Sequence, residues 1–166
     1  MAALDDDIQT RFSGKTLQVV SFALGSEEYG VDIAQVQEIN RMIKVTKVPQ
    51  AAQFMEGVIN LRGRLIPIID LRTRFGMERA EHTKNTRIVV TEIGSNCLGM
   101  VVDSVSEVLR IPVEQIEDAP DLVAGVDTEY IRGVGKLDDR LIIMLDLARV
   151  ISASETTELQ ELGTAA

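Results

Sequence analysis

The residues able to do covalent or acid–base chemistry are few and scattered. His82 is the single imidazole and sits in the polar run RAEHTKN. A hydrolytic triad would need it, but such a run predicts a solvent-exposed loop histidine. Cys97, the single thiol, lies in GSNCLG with neither a second cysteine nor a base beside it. That context predicts a structural thiol and excludes an internal disulfide. Asp70 and Asp146 each close an apolar run and form the carboxylate pair to weigh for acid–base work. A carboxylate so placed more simply accepts backbone N–H bonds from the turn that follows. Asp5, Asp6 and Asp7 lack the alternate spacing and the glycine of a calcium loop. GVGKL brings Lys136 near two glycines without matching a phosphate-cradling loop. The expectation is a binding protein and not an enzyme, with no cofactor, no metal and no catalytic residue. A small-molecule-binding β-barrel or enzyme using Asp70 or Asp146 is the alternative.

Charge and composition narrow the partners. The 166 residues make one ordinary domain or two very small ones, and 45% hydrophobic content supports a packed core. Acidic side chains number 26 against 17 basic, a net charge of −9 that disfavours nucleic acid. The longest uninterrupted apolar run, Leu141 to Leu145, falls far below the roughly 18 residues of a membrane span. No charged segment followed by an apolar stretch opens the chain, so the expected location is cytoplasmic, with no membrane insertion.

The elements that must position any site are short strands. LQVVSFAL, RLIPIIDL, RIVVTEI and RLIIMLDL are each one strand long, and GSEEYG, NLRG, GSNCLG and LDDR read as turns between strands. This punctuation predicts an all-β barrel or sandwich. Asp32 is placed to cap a short helix burying Ile33, Val36 and Ile39 or Ile43. Residues 1–14 read as a flexible acidic tail and residues 152–166 as a short, marginal C-terminal helix.

The chain also repeats itself. GVINLRGRLIPIIDL at 57–71 aligns without gaps to GVGKLDDRLIIMLDL at 133–147, with eight identities. Gly25, Gly30, Val36 and Glu38 have a fainter echo in Gly94, Gly99, Val105 and Glu107. Two small β units are therefore expected, 15–85 and 86–151, sharing one hydrophobic seam because neither alone buries much core. Residues 15–85 carry 10 basic and 8 acidic side chains, whereas 86–151 carry 6 and 12. Opposite charge on two related units suits head-to-tail contacts between similar modules.

Residues 54–76, FMEGVINLRGRLIPIIDLRTRFG, resemble the defining stretch of the CheW family of bacterial chemotaxis adaptors. EEYGVDIAQVQEI, GMVVDSVSEVL and TEYIRGVGKLDDRLIIMLDL resemble its other blocks in order and spacing, so the resemblance spans roughly residues 15–152. It implies two fused SH3-like five-stranded β-barrels packed on a common apolar seam. It further implies a non-enzymatic scaffold in signalling arrays that couples transmembrane chemoreceptors to the histidine kinase CheA. The implied partners are the receptor's cytoplasmic tip and the CheA regulatory domain, with rings formed among related modules.

A receptor tip is a helical hairpin, so its reader needs an apolar groove with polar anchors at the rim. Val36, Ile39, Gly57 and Val58 resemble the family's groove residues, and Glu38 and Arg62 its paired charges. Gly57, lacking a side chain, would let a partner helix approach closely. Ile33 reads as core or groove floor. Arg62 is answered in the second copy by Asp138, whereas Arg64 is matched by Arg140. A structural arginine tends to persist in both copies, so Arg62 is the functional candidate. For the kinase, the resemblance suggests loops near Val45 and Val48 and near Arg110 and Val113.

Overall fold

The computed structural model describes residues 15–49, 54–118, 122–123, 126–127 and 130–150. The strands are β1 (Thr16–Leu24), β2 (Glu27–Asp32), β3 (Val36–Arg41), β4 (Met55–Leu61) and β5 (Arg64–Asp70), followed by helix α1 (Leu71–Arg74). Then come β6 (Arg87–Ile93), β7 (Asn96–Val102), β8 (Ser104–Pro112) and β9 (Ile116–Glu117). The hairpin β10 (Leu122–Val123) and β11 (Val126–Asp127) precedes β12 (Ile131–Leu137), β13 (Arg140–Leu145) and helix α2 (Leu147–Val150). The repeat seen in the sequence is a repeat of structure. β1, β2 and β3 match β6, β7 and β8, while β4, β5 and α1 match β12, β13 and α2.

The expected boundary between 15–85 and 86–151 is not the boundary between the barrels. One sheet has the order β3-β6-β7-β5-β4, and the other β8-β1-β2-β13-β12-β9. Each copy of the repeat therefore gives its first hairpin to the other copy's barrel. The exchange places β5 parallel to β7 and β13 parallel to β2. Two near-identical copies offer each hairpin equivalent edges, so periodicity alone could not assign it. Both sheets close by the same device. The chain beyond β3 bridges β4 at Thr46 and Val58, and the chain beyond β8 returns as β9 to pair with β12. Closure removes the free edges that a small sheet would otherwise expose.

Alternation along the strands splits the apolar residues into three clusters. Ile66 and Ile68 of β5, with Ile88 and Val90 of β6, fill the first barrel. Val19, Leu109, Ile111, Ile142 and Met144 fill the second. The opposite faces of the same strands, including Val20, Phe22, Leu24, Val89, Met100 and Ile143, meet in a larger seam between them. Central strands thus bury both faces, which is why they read as continuous Val/Ile runs. Stacked rings line the seam, Phe22 with Tyr29 at 5.9 Å between centroids and Phe75 with Tyr130 at 5.5 Å. The Arg74 guanidinium lies 4.9 Å above Phe54 and 5.2 Å above Tyr130, adding cation–π contact.

The helix expected after Asp32 shrinks to one 3-10 turn, Ile33–Gln35, although Asp32 does cap it by accepting from the Ala34 amide at 2.9 Å. From Val36 onward the backbone is the strand β3, hydrogen-bonded to β6. Pairing with a neighbouring strand overrides a local helical pattern only a few residues long. The tails 1–14 and 152–166, with the expected C-terminal helix, lie outside the described residues.

Candidate protein-docking site

Glu38 and Arg62 come together although 24 residues separate them. Glu38 sits on β3 and Arg62 in the turn between β4 and β5, with two guanidinium nitrogens donating to the two carboxylate oxygens. The Arg62 side chain is 72% exposed and the Glu38 side chain 27%, so the pair stands at the surface of the first barrel. Hydrogen bonding from Arg62 holds the Glu38 carboxyl below its usual range; slight desolvation opposes this and Asn40 adds to it. Arg62 adopts φ 54°, in the left-handed region that a residue with a Cβ occupies at a cost. Asp138, its counterpart in the second barrel, has φ 55°, so the hairpin geometry imposes the conformation on both. Asp enters this region more readily than Arg in general, because a short polar side chain is able to bond to its own backbone there.

The other groove candidates divide. Val36 packs against the seam, as does Ile33, while Ile39 and Ile43 are each 40% exposed. Val58 is half-buried and exchanges two backbone hydrogen bonds of 2.9 Å with Thr46. Gly57 is buried, and a Cβ there would lie 2.2 Å from the Thr46 carbonyl oxygen and 2.8 Å from Val45 Cγ1. The space left by its missing side chain is taken up inside the protein, by the segment that closes the barrel, and not by an approaching helix. Val45 accordingly packs against the interior of the first barrel. Val48 and Val113 are half-buried and Arg110 is exposed.

The residues weighed for chemistry are held by neighbours. Asp70 is 5% exposed; its carboxylate accepts from the Thr73 hydroxyl at 2.6 Å and lies 3.6 Å from an Arg79 nitrogen. The expected backbone cap at Asp70 is absent, its place taken by these side chains. Asp146 pairs with Arg149 at 3.6 Å, and Lys136 with Glu117 at 2.9 Å. His82 is exposed in a loop, and Cys97 is the second residue of β7. Among the described residues no three His, Cys, Asp or Glu side chains gather as metal ligands, and no helix is long and apolar enough to cross a membrane.

Sequence reasoning passed over the surroundings of Glu38. Arg64 donates to Cys97 Sγ at 3.0 Å, Cys97 donates to Gln37 Oε1 at 3.3 Å, and Gln37 donates to Glu92 at 3.2 Å. In the second barrel Arg140 instead holds Glu28 and Glu107. The signal lay in the repeat. Glu28 and Cys97 are equivalent positions, and the change from carboxylate to thiol was readable there.

Two barrels on a shared seam, with a charged pair presented at the surface of one of them, define a double-barrel scaffold. The chain belongs to the CheW family: the model of the CheW-like domain matches residues 18–155. It is 40% identical over 148 residues to the chemotaxis protein CheW of Klebsiella aerogenes, covering 88% of this chain and 89% of that one. A probable chemotaxis protein CheW of Rhizobium etli is 34% identical, covering 84% and 90%. The crystal structure of the scaffolding protein TtCheW from Thermoanaerobacter tengcongensis superposes with a TM-score of 0.78 at 38% identity, covering 84% of this chain and 90% of that one.

Proposed function

We propose that this chain is a cytoplasmic coupling scaffold that binds the helical tip of a transmembrane chemoreceptor and the regulatory domain of CheA, and is recruited to receptor arrays. The carrying observation is the Glu38–Arg62 pair, held at the surface with Arg62 in a costly backbone conformation. Half-exposed Ile39 and Ile43 supply apolar surface on the same strand and just beyond it. Val48, Arg110 and Val113 are the candidate contacts for the kinase. The charge division supports ring contacts more strongly by barrel than by sequence half. The described residues of 33–102, which build the first barrel, carry 10 basic and 6 acidic side chains; those of 15–32 and 103–150, which build the second, carry 6 and 12. A basic barrel meeting an acidic one steers head-to-tail contact.

The test is co-sedimentation with receptor-containing membranes, with and without CheA. Sedimentation that requires receptor and strengthens with kinase is expected, since several modest contacts acting together raise avidity. Equal sedimentation with receptor-free membranes would overturn the reading. The alternative of a catalytic or ligand-binding barrel is less supported, because Thr73 and Arg79 already occupy the Asp70 carboxylate.

A further inference from the structure

Strict alternation along β3 would send Val36 and Glu38 to the same side of the strand. They go to opposite sides. Val36 packs against the seam, whereas Glu38 is opposite Val90, a residue of the first barrel's interior. The register shifts between Val36 and Glu38, so Gln37 is an extra residue, a β-bulge. One inserted residue re-aims the side chain that follows it. The second barrel carries the same bulge at Ser106, between Val105 opposite Phe22 and Glu107 opposite Ser21. There Arg140 reaches Glu107 directly at 3.2 Å while also holding Glu28. In the first barrel the residues equivalent to Arg140 and Glu28 are Arg64 and Cys97. Arg64 turns to the thiol, and Glu38 is left to Arg62.

We infer that Gln37 and Cys97 are positioning residues for the Glu38–Arg62 pair. The hydrogen-bonded row Arg64–Cys97–Gln37–Glu92 pins the bulge and keeps Arg64 off Glu38, so that the carboxylate faces the turn arginine. Cys97 serves here as a neutral donor and acceptor between two side chains. The inference rests on the reading of Glu38 and Arg62 as a receptor-binding pair, but its first readout does not.

That readout is the titration of the Glu38 carboxyl, followed by NMR in the full chain. Gln37→Ala, which unpins the bulge while Cys97 still holds Arg64, should move it up towards the ordinary glutamate range with the Tm nearly unchanged. Cys97→Ala, which frees Arg64 to reach the carboxylate as Arg140 reaches Glu107, should leave it low but no longer responsive to Arg62→Ala, and Cys97→Ser should restore that response. The second readout is affinity for a soluble receptor cytoplasmic fragment. Gln37→Ala should weaken binding by about threefold or more, and should weaken it no further in an Arg62→Ala background, since coupled residues are not additive. An unmoved Glu38 titration in Gln37→Ala, or a Glu38 titration that still responds fully to Arg62→Ala in the Cys97→Ala background, overturns the inference. So does a loss of affinity that adds in full to that of Arg62→Ala. If the unaltered chain fails to bind the fragment while the titration moves as expected, the receptor reading fails and the positioning role stands.

Discussion

Gly57 and Gly133 meet the same obstacle in the two barrels: a Cβ on Gly57 would lie 2.2 Å from the Thr46 carbonyl oxygen, and one on Gly133 would lie 2.9 Å from that of Glu117. Each glycine stands where the returning chain closes its sheet. The two sites are unequal, because Gly57 also has φ 145°, which side-chain-bearing residues rarely adopt. Gly57→Ala should therefore cost about 2–4 kcal/mol and Gly133→Ala less, measured by urea denaturation. Gly57→Asp should unfold the barrel or lower its Tm sharply. A Gly57→Asp variant of full stability that lost only receptor binding would show that the glycine serves a partner helix after all.

The repeat already contained this lesson. The rule that a structural residue persists in both copies marks Gly57 and Gly133 as fully as it marks Arg64 and Arg140. The strands, the two-unit architecture and the shared seam were legible because burial on both faces writes itself as Val/Ile runs. The hairpin exchange was not, because non-local pairing between equivalent copies leaves no local trace. The Glu38–Arg62 pair came from resemblance and from the asymmetry between Arg62 and Asp138. The bulge that orients Glu38 leaves the sequence pattern one residue out of step, and a strand read by strict alternation hides it.

Arg62 separates recognition from folding. Arg62→Asn and Arg62→Gly place residues that accept φ 54° more readily, so the Tm should hold or rise even as the bond to Glu38 disappears. Receptor co-sedimentation should fall in the same variants. A marked drop in Tm would show that the pair is chiefly structural.

Arg72 and Asp103 clamp the crossover between barrels. Asp103 follows β7 of the first barrel and precedes β8 of the second, and it accepts from Arg72 at 2.8 and 2.6 Å and from the Gly25 amide at 2.8 Å. Hydrogen bonding from Arg72 holds its carboxyl below the usual range, with burial opposing and the Gly25 amide adding. A carboxylate lowered on folding contributes stability above its unfolded pKa, and loses that contribution as pH falls through the folded value. Asp103→Asn should lower stability near neutrality by about 1 kcal/mol, given partial exposure, and flatten the acid limb of the stability profile. An unchanged acid limb would assign the acid sensitivity to other carboxylates.

Tyr29 governs the alkaline limb. Its ring stacks in the seam, its hydroxyl is buried with no hydrogen-bond partner among the described residues, and burial, with a smaller push from Glu27, raises its pKa to about 12. Because the folded chain holds this proton more tightly, the stability involved is complete below the unfolded pKa near 10 and is lost as pH rises towards 12. The loss should approach about 1.4 kcal/mol per pH unit in that window. Tyr29→Phe keeps the stacked ring and deletes the unpaired hydroxyl, so stability at pH 7 should hold or rise by about 1 kcal/mol, and the alkaline loss should shrink. Chemical denaturation of both proteins between neutral and alkaline pH reads the two effects together. A destabilised phenylalanine variant would mean that the hydroxyl has a partner in solution, a buried water being the simplest donor.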